Sequence, residues 1–248
     1  MKVLAVGNHK GGTAKTTTAA ALAVILSRTG RRVHVVDMDP QASLTAAFGQ
    51  TEPEGLLYQA MVRKGPLPVV TLADNLTLTP SSIDLARGES EFLGTVGREY
   101  FLQTCLEKSE LDEDTAVIID CPPSLGVLAV NCLTAADTLI VVVQPGGFEL
   151  RALAHLEEMV MLLKERINPR LSIGGAILTN CHHRRAITAQ VEDEVKNHYP
   201  VLGKVRSEAE LLYATTEGRI HRLTRSAALD DYADVVVRLG EALPWLRK

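Results

Sequence analysis

No apolar run in the sequence approaches the ~18 residues that a membrane-spanning helix requires, so no segment is expected to cross a bilayer. Surplus positive charge is also missing: lysine and arginine number 26 against 30 aspartates and glutamates, a net charge of −4. That balance argues against a globally basic nucleic-acid binder and leaves room for a local basic face. The four cysteines, Cys105, Cys121, Cys132 and Cys181, form no C-x-x-C pair and show no metal-ligand spacing. They read as reduced thiols of a cytoplasmic protein rather than as a disulfide framework. Met1-Lys2-Val3 runs straight into an apolar stretch, so no secretory leader is expected. Neither an internal repeat nor a low-complexity linker divides the chain. What remains is 248 residues, 46% hydrophobic and 23% charged, enough for a sizeable core, and one domain over residues 1–248 is expected.

The most informative stretch is Lys10-Gly11-Gly12-Thr13-Ala14-Lys15-Thr16-Thr17. It follows an apolar run, Val3 to Val6, and opens a helical run, Thr16 to Arg28. Strand, glycine-bearing turn and helix start are the context of a phosphate-binding loop, in which backbone N–H groups converge on an anion. Lys15 is placed to reach the β- and γ-phosphates, Thr16 to hold Mg²⁺, and Thr17 to bond a phosphate oxygen nearer the nucleoside. Ala14 stands where the plain loop has glycine; a positive φ there would cost about 1–2 kcal/mol.

The rest of the chain alternates strands and helices. Gly30 reads as the cap of the first helix, and Arg32 to Asp37 as a strand buried on both faces, giving a parallel crossover. It ends in Asp37-Met38-Asp39-Pro40-Gln41, with carboxylates at the ligand edge of such a sheet; Asp39-Pro40 also reads as a helix N-cap with proline at N1. Residues Thr51 to Asn75 predict a helix with flanking loops. Leu76 to Ser81 alternates like a strand, Ser82 to Glu89 reads as a short helix, and Val96 to Lys108 as an amphipathic one with Tyr100, Phe101, Leu102 and Leu106 as core candidates. Ala116 to Asp120, four apolar residues ending in a carboxylate, fits a strand whose Asp120 orders Mg²⁺, and Pro122-Pro123 stiffens the turn behind it. Further strands are expected at Thr138 to Gln144 and Leu171 to Thr179, and helices at Phe148 to Asn168, Ala186 to Tyr199 and Ser226 to Leu243.

The loop K-G-G-x-x-K-T-T, the D-x-D-P-Q segment and the run Asp120 to Asp137, in this order and spacing, resemble the deviant Walker A ATPases of the ParA/MinD group, and the ParA/Soj type in particular. The resemblance covers Lys2 to about Trp245. It implies an α/β, three-layer P-loop NTPase fold: a mostly parallel twisted sheet with helices on both faces. It implies ATP and Mg²⁺ as cofactors and ATP hydrolysis as the activity. Lys10, Gly11, Gly12, Thr13, Ala14, Lys15, Thr16 and Thr17 would bind nucleotide, with Lys10 reaching the partner's phosphates in an ATP-held homodimer. Asp39 would help position the attacking water and, with Thr16 and Asp120, serve the metal. Asn180 resembles an adenine-contacting residue of the wider group and is equally a common turn residue. Non-specific DNA binding through scattered basic residues would fall to Arg184, Arg206, Arg219, Arg222 and Arg225, although acidic neighbours make a solvated surface an equal reading.

The function so implied is segregation of plasmid or chromosome DNA with a ParB-like adaptor that stimulates hydrolysis, in the cytoplasm and on the nucleoid. The alternative is a related ATPase distributing a protein cargo, such as a carboxysome or chemoreceptor cluster. The chain starts at its first strand, so no operator-binding extension is expected. Pro244 breaks the tail, so a MinD-like membrane helix is not expected either. A metabolic enzyme on the same fold is a further class.

Overall fold

A computed structural model describes residues 1–8, 10–51, 55–146, 149–181 and 186–246, with backbone alone at 149–152 and 186. The first unit is β1 (Lys2–Gly7), α1 (Lys15–Arg28) and β2 (Val33–Asp37). Next come α2 (Ser43–Ala47), α3 (Leu56–Arg63), β3 (Val70–Ala73), β4 (Leu76–Thr79), α4 (Leu85–Glu91) and α5 (Phe101–Lys108). The middle of the chain forms β5 (Ala116–Asp120), α6 (Val127–Ala135), β6 (Thr138–Val143), α7 (Glu149–Arg166) and β7 (Ser172–Cys181). The last part holds α8 (Ala186–Lys196), β8 (Val201–Arg206), α9 (Ala209–Thr216) and α10 (Ala227–Ala242).

The eight strands make one sheet in the order β3-β4-β2-β5-β1-β6-β7-β8, parallel except for the edge strand β3. β1 and β2 run parallel as expected but do not touch, because β5 lies between them and pairs with both. Alternation along each strand sends side chains to opposite faces. Leu4 and Val6 pack with Leu22 of α1 and Tyr232 of α10 on one face. Val3 and Ala5 pack with Leu102 of α5, Leu128 of α6 and Leu156 of α7 on the other. Two apolar clusters flanking one sheet are the three-layer arrangement expected from the sequence.

Local chemistry explains where boundaries moved. The helix expected from Val96 starts only at Phe101, because Gly97 takes φ 74° and breaks it. Tyr100 is consequently 38% exposed and not a core residue, whereas Phe101, Leu102 and Leu106 are buried. Within Thr51 to Asn75 the helix is α3, but β3 was not foreseen. It is an edge strand of half-exposed alternation turning on Asp74-Asn75 into β4. Lys204 and Arg206 lie within β8.

His34, in the middle of β2, is fully buried between the hydroxyls of Thr77 (2.8 Å) and Thr79 (2.9 Å) of β4. Burial pushes its imidazole down to about 4 from 6.5. The folded chain therefore refuses a proton that the unfolded chain accepts, so this group's contribution is complete above pH 6.5 and is lost as pH falls to about 4. The full loss is about 3 kcal/mol. Buried Asp37 and Asp120 have raised values and pull the opposite way. His34→Gln should accordingly flatten the acid limb relative to the parent in chemical denaturation at pH 4 to 7; parallel curves would contradict this.

Candidate active site

Four strands deliver their C-terminal ends to one edge. The loop after β1 is bound there on both sides. The Asn8 amide donates to the Val142 carbonyl (2.6 Å) and accepts from Lys10 N–H (3.2 Å). Thr179 Oγ1 of β7 donates to the Thr13 carbonyl (2.8 Å). Ala14, the residue before α1, sits at φ 63° and ψ 30°, the left-handed conformation that its replacement of glycine made costly. The first α1 hydrogen bond runs from Thr18 N–H to the Ala14 carbonyl (2.9 Å). The N–H groups of Lys15, Thr16 and Thr17 thus have no helical partner and are available to an anion.

The Lys15 ammonium donates to the Lys10 carbonyl (2.8 Å). Burial lowers its pKa, and Asp120 opposes that shift most among its charged neighbours. Asp120 is fully buried, and both of its carboxylate oxygens lack a well-formed hydrogen bond among the described residues. Burial and neighbouring Asp37 raise its pKa well above the usual range, while Thr16 and Lys15 lower it. An orphaned buried carboxylate beside a threonine hydroxyl is the setting a cation or its bound water satisfies. A magnesium ion therefore fits this donor set, and Thr16, Asp120 and Asp39 are the residues that would hold it. When bound it would supply charge neutralisation on the phosphate oxygens.

Asp37 and Asp120 are register partners on β2 and β5. Asp37 accepts from Thr45 N–H (2.8 Å) and Thr45 Oγ1 (2.7 Å), pinning α2, and burial pushes it up to about 6. Asp39 is half-buried at the rim. Its carboxylate accepts from Gln41 N–H (2.9 Å) and its carbonyl from Ala42 N–H (2.9 Å). This is an Asx turn; α2 starts only at Ser43, so Asp39 is not the helix N-cap that the Asp-Pro pair suggested. The turn after Asp120 is braced from α4: Glu89 accepts from Ser124 Oγ (3.3 Å) and from Val127 N–H (3.2 Å) at the start of α6.

A cleft of about 410 Å³ is lined by Gly11 through Thr17 and Asp39, together with Ser43 and Ala46 of α2, Pro123, and Thr215 and Thr216 of α9. The structure thus brings the loop and Asp39 together over Asp120. Lys10 does not line the cleft of its own chain, and neither does Asn180, the last residue but one of β7, at φ 51°. Ser43 and Ala46 lie close behind D-x-D-P-Q and were within reach of sequence reasoning. Thr215 and Thr216 carry no local signal.

The basic candidates separate. Arg206 makes a two-pronged pair with Asp231 (both 2.8 Å), and Arg219 contacts Glu217 (2.5 Å) and Glu210 (3.5 Å), so both are engaged within the fold. Arg222 Nε points at the His221 ring (3.2 Å). Arg225 is exposed and makes no ion pair among the described residues. Arg184 lies outside the described residues.

Two substitutions test this geometry. Lys15→Ala should abolish binding of a fluorescent ATP analogue, since no other lysine or arginine lines the cleft among the described residues; unchanged affinity would remove the assignment. Ala14→Gly relieves the left-handed backbone and should raise stability by about 1 kcal/mol while preserving or tightening nucleotide binding; a drop in melting temperature would show that the loop does not hold this conformation.

Known proteins converge on the same reading. The family model described as an AAA domain matches residues 1–173. The sporulation initiation inhibitor protein Soj of Bacillus subtilis is 37% identical over 203 residues, covering 80% of each chain. The chromosome partitioning protein ParA of Caulobacter vibrioides is 37% identical over 205 residues, covering 80% of this chain and 77% of its own. The crystal structure of a Mycobacterium smegmatis protein named as cobyrinic acid a,c-diamide synthase, with bound ADP and magnesium, superposes at TM-score 0.78 with 35% identity, covering 94% of this chain and 91% of that one. A phosphate loop over two buried strand-end carboxylates, on a sheet shared with these relatives, leaves one conclusion: the chain belongs to the ParA/Soj family of deviant Walker A, magnesium-dependent ATPases.

Proposed function

We propose that the chain is the motor of a partition system: ATP closes a homodimer, the closed dimer binds DNA without sequence preference, and a ParB-like adaptor stimulates the hydrolysis that releases it. The observation that carries the dimer is Lys10. It belongs to the loop and its carbonyl receives Lys15, yet it is not among the residues that line the cleft with Gly11 to Thr17. A second lysine so placed serves a nucleotide held by a twin. In hydrolysis Lys15 neutralises the phosphate oxygens from within, Asp39 orients the attacking water from the rim, and Lys10 brings positive charge from the partner; charge supplied in this way is worth about 10³–10⁵ in rate.

DNA contact then rests chiefly on Arg225, with Arg222 beside it, because Arg206 and Arg219 are held by carboxylates. Phosphate contacts need no fixed motif, and dimerisation doubles them, which offsets the net charge of −4. The cargo is plasmid or chromosome DNA, acting in the cytoplasm on the nucleoid. The same cycle could equally carry a protein body. A membrane role is disfavoured by α10, whose Leu229, Tyr232, Val235 and Leu239 are used against the sheet, and by Leu246 beyond Pro244, which is also buried. No described helix is long and apolar enough to cross a membrane. The named synthase among the relatives motivates a second reading, a metabolic enzyme whose turnover requires a small substrate and ignores DNA.

The test uses Asp39→Ala protein loaded with ATP and Mg²⁺. It should form a long-lived dimer that stays on DNA, and adding Arg225→Glu should weaken that binding about tenfold and make its salt dependence shallower without dissolving the dimer. DNA binding unaffected by Arg225→Glu, or a monomer that turns ATP over rapidly, would overturn the proposal.

A further inference from the structure

α2 and α9 each contribute two residues to the nucleotide cleft, Ser43 with Ala46 and Thr215 with Thr216. Just beyond the cleft each helix ends in a left-handed glycine, Gly49 at φ 73° and Gly218 at φ 70°. Their closing hydrogen bonds are alike: Gln50 N–H to the Thr45 carbonyl (3.1 Å), and Arg219 N–H to the Ala214 carbonyl (2.9 Å). The two glycines face each other. A Cβ at 49 would lie 2.7 Å from the Gly218 carbonyl oxygen, and one at 218 would lie 2.7 Å from Gly49 Cα and 2.9 Å from the Ala46 oxygen. Two helix ends therefore meet backbone to backbone, with no side chain between them to absorb a displacement.

On the far side of this seam lies a polar groove of about 520 Å³, whose lining includes Gln50, Arg219, His221 and Arg222. The basic segment starts at the seam and is tied to both nucleotide-facing helices. Ile220 and Leu223 anchor it in the core, and the His221 ring lies 6.0 Å from that of buried Phe48, the residue closing α2. Arg28, in the last turn of the phosphate-loop helix, donates to the carbonyls of Leu223 (2.6 Å) and His221 (3.3 Å). At its other end α2 is clamped by Asp37 through Thr45.

We infer that the Gly49–Gly218 seam is the coupling element of the protein: it makes α2, α9 and the segment Arg219 to Arg225 move as one body, so that nucleotide in the cleft sets the position of the basic residues. This regulatory role rests on the reading of Arg222 and Arg225 as the DNA contact, but the movement itself does not. Close-packed backbone transmits a small shift without loss, whereas a flexible side chain at the contact would dissipate it.

Amide hydrogen exchange on the unaltered protein is the first test. Adding ATP and Mg²⁺ should change protection across residues 219–225 together with that of α2; a segment 219–225 blind to nucleotide would overturn the coupling whatever the DNA results. The second test is Gly218→Ala, which forces a methyl group into the Gly49 backbone at positive φ, with Gly49→Ala as the reciprocal variant. Each should keep its affinity for a fluorescent ATP analogue, lose the nucleotide-dependent exchange change at 219–225, and narrow the gap in DNA affinity between ATP and ADP forms about tenfold. A folded variant that retains the full exchange response contradicts the proposal. If the parent shows the exchange response but binds no DNA in either state, the DNA reading fails and the seam stands.

Discussion

An ammonium group taken out of water is tolerated only where negative charge and a carbonyl compensate it, and this constraint governs the molecule. Lys15 is buried at the floor of its loop, bonded to the Lys10 carbonyl and faced by Asp120. Asp120 is in turn buried beside Asp37, with neither of its own oxygens well satisfied. Burial raises both carboxyl pKa values, the charge of Asp37 raises that of Asp120 further, and a cation above them would offset the cost.

Parallel topology makes that concentration of charge possible. β2, β5 and β1 are neighbours in that order from the edge inward, so Asp37, Asp120 and the phosphate loop emerge side by side from one edge. Apart from Lys2 at the start of β1 and His34 in β2, these three strands carry no polar side chain before their C-terminal ends. Around this edge the helices act as levers. α2 is pinned by Asp37, the turn after Asp120 is braced by Glu89, and α1 reaches back through Arg28 to the basic segment. Binding energy delivered at one point of the cleft therefore has rigid routes outward.

Much of this was readable before any coordinates, and the reason is locality. The phosphate loop is one contiguous stretch whose strand, turn and helix specify each other, so Lys15, Thr16 and the strained Ala14 could be named from spacing alone. Asp37 and Asp120 were readable because each terminates an apolar run, and Asp39 because the D-x-D-P-Q segment resembles that of the family. Where reading failed, the deciding contact was distant. Nothing near Arg206 in the chain announces Asp231, and nothing near Arg219 shows whether Glu217 and Glu210 turn toward it or toward water. Tyr100 looked like a core residue until Gly97 interrupted its helix. β3 was invisible because an edge strand of four residues has too little alternation to separate it from a loop.

The amino-acid order by itself determined the strand-loop-helix that cradles phosphate, the carboxylates that end the buried strands and the alternation that makes the sheet parallel, since backbone conformation and apolar periodicity act over a few residues. Tertiary structure alone decided that β5 would slide between β1 and β2, that α9 would wall the cleft with Thr215 and Thr216, and that Gly49 and Gly218 would touch. Those contacts join residues far apart in the chain, and their energy comes from close packing and desolvation, which depend on what lies across the interface rather than on what lies beside it in sequence.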